Sequence, residues 1–233
     1  YGDHRDLHSF PTQRSSDLFI IAIVSYILGA IPTAYIVVHY FHGKDIRKEG
    51  TGNVGARNAY DITGNTWLGI IIAIVDMLKG YGAVSIAHAL LPNDFIAAGI
   101  AASLALIGHN FNIFLRGKGG RGLATAAGIS LAINPLWLLI WCVMYLTGYY
   151  VIRRNVHVGA MTGTLGLALL IYTTPPQLIS MMMLIPYTDM NGMPFPTMTQ
   201  HTILVLFLCF QIFLRHLQPI REVILNWNTD SKE

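Results

Sequence analysis

Uncharged apolar runs of bilayer-spanning length recur along this chain, and they set its class before any motif is read. The first, Leu18 to Tyr40, holds about 23 residues without Asp, Glu, Lys or Arg. A helix needs about 20 such residues to cross a hydrocarbon layer of about 30 Å. Pro32, in the middle of this run, predicts a kink. Thr66–Leu91, Phe95 to about Phe114, Leu136–Ile152, Val158–Tyr172 and His201–Leu214 follow. Leu123–Ile133 is shorter and rich in Ala and Gly, which predicts a tilted or partly re-entrant crossing. Leu178–Pro186 is too short to span and is expected to dip in and out. Seven crossings result, with six or eight possible for region 173–200. In lipid each backbone group must be satisfied within its own segment, so the fold class is all-α, a polytopic integral membrane protein with short re-entrant segments. Composition agrees: 12% of residues are charged, against about 25% in soluble domains.

Charge gives the topology. Of the 15 Lys and Arg, Arg5 and Arg14 lie in the N-terminal tail and Lys79 lies inside a span, which leaves twelve. With seven crossings, positions 44, 47, 48 and 57, then 116, 118 and 121, then 153 and 154, and finally 215, 221 and 232 all fall on one side. The positive-inside rule makes that side cytoplasmic and puts the N-terminus outside. A net charge of +3 in scattered groups gives no nucleic-acid signature. Cys142 and Cys209 sit in apolar runs as ordinary helix residues. Residues 1–17 lack both an apolar period and a signal-peptide core, and His8–Leu18 resembles a translated sequencing adapter. The expectation is a non-native tail followed by one membrane domain over 18–233.

Two polar loops on the basic side carry the candidate chemistry. The first reads Gly50-Thr51-Gly52-Asn53-Val54-Gly55-Ala56-Arg57-Asn58, with small residues, a hydroxyl, two amides and a guanidinium in nine positions. Those are the parts of an oxyanion or phosphate cradle. The second runs from Gly108-His109-Asn110-Phe111 to Lys118-Gly119-Gly120-Arg121-Gly122-Leu123-Ala124-Thr125. Its glycines admit a ligand to the backbone and its cations complement an anion. A flexible connector with topology-setting bases would account for either loop taken singly. The second is no Walker A loop, since the GxxxxGK[ST] spacing is absent. Asp76 and Lys79, three residues apart within a span, can pair with each other; intramembrane charge also marks function. His157 reads as a solvated loop residue. No metal-ligand spacing, serine-hydrolase motif or soluble-acyltransferase signature occurs, so neither metal nor other cofactor is expected.

Taken together, the loops resemble the bacterial integral-membrane acyl-phosphate:glycerol-3-phosphate acyltransferase family. Gly50 to Asn58 is similar to that family's GSGNxGATN motif, Gly108 to Thr125 to GHxFPVFLxFKGGKGVAT, and Asp76-Met77-Leu78-Lys79-Gly80 to DxLKG. The resemblance implies seven helices and acyl transfer from acyl phosphate to the 1-hydroxyl of glycerol 3-phosphate. Lysophosphatidic acid and phosphate would be the products, the first step of phospholipid synthesis at the bacterial cytoplasmic membrane. It implies catalytic roles for Thr51, Asn53, His109 and Lys118. Substrate binding would fall to Gly52, Gly55, Arg57, Asn58, Gly119, Gly120, Arg121, Thr125 and His216.

The chain departs from the pattern in places. Thr51 replaces Ser, Arg57 replaces Thr, Asp61 stands where a base is common, Asn112 replaces Pro and Arg121 replaces Lys. The family's third motif, HRxNI, is reduced at Arg215-His216-Leu217-Gln218-Pro219-Ile220 to His216 and Ile220. Two other outcomes fit the residues: a transporter or flippase for an organic phosphate or phospholipid, using Asp76, Lys79 and the broken segments, or a family member with altered acceptor or lost catalysis.

Overall fold

Proline has no N–H to donate and its ring crowds the preceding turn, so Pro32 breaks the first span outright. The computed structural model describes residues 9–184, 187 and 198–226, and in it α1 (Ser9–Ala30) stops before Pro32 while α2 (Thr33–His42) starts after it. The break leaves carbonyls at Ala30 and Ile31 without helical partners inside the membrane layer. Asn112 donates its amide to Ala30 O, and Lys79 donates its ammonium to Ile31 O. Lys79 also pairs with Asp76 at 2.7 Å, both side chains 4% exposed. The intramembrane charges thus brace the helix break. Asn112, the departure from proline noted above, does what proline could not, because its Oδ1 also accepts from Phe114 N–H at 2.9 Å.

The chain continues through α3 (Ala56–Thr63), α4 (Thr66–Leu90), α5 (Phe95–Asn110) and a 3₁₀ turn at Ile113–Leu115. It goes on with α6 (Leu123–Ile133), α7 (Pro135–Thr147), a π-helical turn at Gly148–Ile152, α8 (Val156–Thr173), α9 (Pro176–Met181) and α10 (Met198–Leu225). Among the described residues there is no strand, and six stretches are long and apolar enough to cross a membrane, with α6 as a shorter apolar helix beside them. This is the all-α arrangement expected. α1 starts at Ser9, within the tail set apart by composition, and Arg14 there pairs with Asp94 at 3.0 Å. Most of region 187–200 lies outside the described residues.

Helices pack as α1 on α5, α4 on α6, α7 on α8 and α8 on α10. Small residues let backbones approach where lipid supplies no hydrophobic drive between helices. On the α4–α6 seam, a β-carbon on Gly80 would strike the Thr125 carbonyl, and one on Gly128 the Met77 carbonyl. Large apolar side chains such as Phe19, Ile71, Leu139, Leu169 and Phe210 stay exposed, as lipid-facing residues do. α6 has 11 residues and ends at Asn134, a fully buried side chain. At about 1.5 Å per residue it covers about 16 Å, half the hydrocarbon layer. Asn134 sustains this mid-membrane break by accepting from Leu136 N–H at 3.0 Å and donating to Ile179 O, in α9, at 2.9 Å.

Candidate functional site

The basic connections and the C-terminal part of α10 meet at one end of the bundle, where they wall two adjoining chambers. The outer one, about 600 Å³, is lined by Thr51, Gly52, Asn53, Lys118, Gly119, Arg121 and Arg215, with Arg47, Gln218 and Glu222 around them. The inner one, about 340 Å³, is lined by Asn53, Gly55, Arg57, Asp76, His109, Arg121, Gly122, Tyr145, His157 and His216. Asn53 and Arg121 belong to both. Both loops therefore contribute to one place, which neither loop's spacing alone could guarantee.

Asn58 builds the first loop. It is 1% exposed, accepts from Thr51 N–H at 2.9 Å, and donates to the carbonyls of Ile46, Glu49 and Asn53 at 3.0 to 3.2 Å. Its amide is committed to backbone, so it shapes the cradle that Thr51, Gly52 and Asn53 present. Arg57 pairs with Asp61 at 3.0 Å, so the two departures from the family pattern compensate each other. At the rim of the outer chamber, Asp45 holds Arg47 at 2.8 Å, and this hydrogen bond lowers the Asp45 carboxyl to about 2.

The second loop is shaped by close approach. A β-carbon on Gly120 would run into the His109 ring nitrogen Nε2 and lie 2.9 Å from Val54 O. Gly120 N–H donates to His109 O at 3.0 Å. Arg215 reaches over from α10 and donates to Gly119 O and Gly120 O, each at 2.9 Å. Among the described residues, Lys118 has no protein partner for its exposed ammonium and faces the outer chamber. Arg121 lies 3.4 Å from His157 Nδ1; burial first, then the charge of Arg215, push its guanidinium below its ordinary value. His109 is 7% exposed, with Nδ1 4.0 Å from Asp76 Oδ1. His216 is buried and bonds Ile212 O through Nδ1 at 2.9 Å.

Helix starts supply the remaining donors. α4, α5, α7 and α8 are capped by the side chains of Asn65, Asp94, Asn134 and Asn155. α3 and α6, which start at Gly55 and Gly122, have no side-chain cap. Gly55, Ala56 and Arg57 from one, and Gly122, Leu123 and Ala124 from the other, line the inner chamber. Unmet N–H groups and the positive ends of two helix dipoles converge there with Arg121, an arrangement whose charge complements an anion. Gly122 has φ +82°, and a β-carbon on it would lie 2.8 Å from Asn110 Oδ1.

Of the thirteen residues singled out from sequence as catalytic or substrate-binding, ten line a chamber, and Gly120 packs behind them against the His109 ring. Asn58 lies behind the cradle, and Thr125 is fully buried with its carbonyl against Gly80. His157, expected in a solvated loop, stands in the first turn of α8, half-buried beside Arg121. Asn155 at the N-cap was the available signal for that helix start. Asp76, from the DxLKG-like stretch, and Arg215, from the reduced third motif, join the site, and Tyr145 joins it without a local motif of its own.

Beyond the inner chamber an apolar cavity of about 50 Å³ lies among α6, α7, α8 and α10, and Leu123 lines both spaces.

Residues 19–226 match the profile of the glycerol-3-phosphate acyltransferase family. "Glycerol-3-phosphate acyltransferase 2" of Moorella thermoacetica is 42% identical over 139 residues, 60% of this chain and 70% of that protein. The glycerol-3-phosphate acyltransferase of Syntrophotalea carbinolica is 35% identical over 173 residues, 73% of this chain and 87% of that protein. The fold matches the crystal structure of PlsY (YgiH), an integral membrane glycerol 3-phosphate acyltransferase, in its glycerol 3-phosphate form. That match has a TM-score of 0.71 at 24% identity, covering 90% of this chain and 92% of the other. The lysophosphatidic acid form matches with a TM-score of 0.70.

Proposed function

The chain belongs to the glycerol-3-phosphate acyltransferase family, and from that premise we propose that the paired chambers transfer a fatty acyl group from acyl phosphate to the 1-hydroxyl of glycerol 3-phosphate. The hydroxyl oxygen bonds to the acyl carbonyl carbon, the carbonyl–phosphate C–O bond breaks, and inorganic phosphate leaves. The hydroxyl proton passes to a phosphate oxygen. Lysophosphatidic acid remains.

The observation that carries this reading is the convergence of two uncapped helix starts and Arg121 on a chamber that adjoins an apolar cavity. Both substrates bring phosphate, and the donor also brings a chain that belongs in hydrocarbon. Acyl phosphate has a good leaving group, so the protein's task is positioning and charge stabilisation. Lys118, Thr51 and Asn53 face the outer chamber for one phosphate. Arg121 and the N–H groups of α3 and α6 serve the other. His109, aligned by Asp76, and His216 line the reaction space. The charge rule assigns the basic end to the cytoplasm and the N-terminus to the outside, in the bacterial cytoplasmic membrane that the family resemblance implies.

Purified protein given palmitoyl phosphate and glycerol 3-phosphate is expected to release phosphate, with Lys118→Ala slower by about 10² or more. Equal inactivity of folded parent and variant, or solute uptake into proteoliposomes without lysophosphatidic acid, would refute it.

A further inference from the structure

We propose that the apolar cavity among α6, α7, α8 and α10 seats the methyl end of the donor's acyl chain, and that Trp137 at its floor limits the chain length accepted. This rests on the acyl-transfer reading above and gives that site a specificity determinant.

Two contacts join the cavity to the inner chamber. Leu123, the first residue of α6, lines both. Trp141 of the cavity wall stacks on Tyr145 of the chamber wall, ring centroids 5.0 Å apart. From Leu123 the cavity follows one face of α6 through Ala126, Ala127 and Ser130. These positions are spaced i, i+3, i+4 and i+7, and at about 1.5 Å per residue they extend roughly 10 Å from the chamber. Trp137 is 1% exposed and stands just past the α6–α7 break at Asn134, so its ring closes the end away from the phosphate sites.

The lining suits hydrocarbon and not water. Its one hydroxyl, on Ser130, is already spent on Ala126 O at 2.9 Å. Beside it the Trp137 indole N–H is a single unpartnered donor, too few for a water that needs about two to four polar partners, so the space suits hydrocarbon. A reactive head held at Arg121 and the α6 start directs its own chain past Leu123 into this space.

The test is a series of donors from decanoyl to stearoyl phosphate, with glycerol 3-phosphate, on the parent protein, Ala127→Phe and Trp137→Ala. Ala127→Phe fills the cavity from a half-buried wall position. It is expected to lower kcat/KM for palmitoyl and stearoyl phosphate about four-fold for each methylene displaced, while decanoyl phosphate is little affected. Trp137→Ala is expected to move the optimum to longer chains. A readout independent of turnover uses a non-hydrolysable palmitoyl phosphonate brominated near its methyl end. Quenching of tryptophan fluorescence should fall in Trp137→Phe and persist in Trp67→Phe, whose indole is exposed. A folded Ala127→Phe with an unchanged length profile, or quenching indifferent to Trp137→Phe, overturns the inference and leaves the reaction standing. Absence of phosphate release by the parent with every donor overturns the reaction and the inference with it.

Discussion

Removing Lys79 alone should damage the protein more than removing Lys79 and Asp76 together. The pair is 2.7 Å apart with both side chains 4% exposed, and Lys79 also holds Ile31 O at the Pro32 break. Lys79→Met strands a buried carboxylate, a loss of about 3–5 kcal/mol when one partner of a buried pair is deleted. It also takes the charged donor from the Ile31 carbonyl, which keeps only the Thr33 N–H at 2.9 Å, about 1 kcal/mol more. In a chain of this length each kcal/mol corresponds to about 2–4 °C in Tm, so the single variant should melt at least about 6 °C lower in detergent micelles. The double variant Asp76→Leu/Lys79→Met removes both charges, which is near neutral for the pair itself, and retains only the loss of the Lys79 bond to the Ile31 carbonyl. Its Tm should therefore lie above that of Lys79→Met, with a coupling of about 2 kcal/mol or more in the double-mutant cycle. A stable, active folded double variant would also show how much His109 depends on its acidic neighbour. If Lys79→Met melts with the parent, or if the two losses simply add, the pair is no brace and the argument fails.

Gly120→Ala forces a methyl group against the His109 ring and Val54 O, and should lower kcat at least about ten-fold with little change in Tm, measured side by side. Asn58→Asp replaces the amide donor that faces three carbonyls with an acceptor; a loss of about 1–3 kcal/mol in stability, with greater proteolysis of loop 44–58, is expected. The Asp45 carboxyl should titrate near 2 by NMR and return to about 3.9 in Arg47→Gln. Because its folded value lies below the unfolded one, the pair's support of the loop is full above about pH 4 and is lost as pH falls through about 2.

The crossings were legible because hydropathy is a local property: span limits, the Pro32 break and the short α6 all follow from residues within one window. The two glycine-rich loops stood out for the same reason, and both wall the chambers. Roles set by tertiary contact were not. Asn58 looked like a ligand-binding amide because it shares a loop with Asn53, yet only the fold turns it toward Ile46, Glu49 and Thr51. Arg215 sits in a worn motif, and nothing near it in sequence shows that it clasps Gly119 and Gly120 from 95 positions away. The missing caps of α3 and α6 are a pattern only against the capped starts of α4, α5, α7 and α8. Thr125 shows the converse: its place in a motif reflects a helix seam against Gly80.

Both chambers lie at the end of the bundle where the basic loops gather, and that has a consequence for the membrane as a whole. New lipid would be released with its headgroup at this face and its single chain in the adjoining monolayer. Synthesis then enlarges one leaflet only. A bilayer grown this way stays balanced only if later lipids cross to the other side, so the geometry of one acyltransferase makes transbilayer movement a separate requirement of growth.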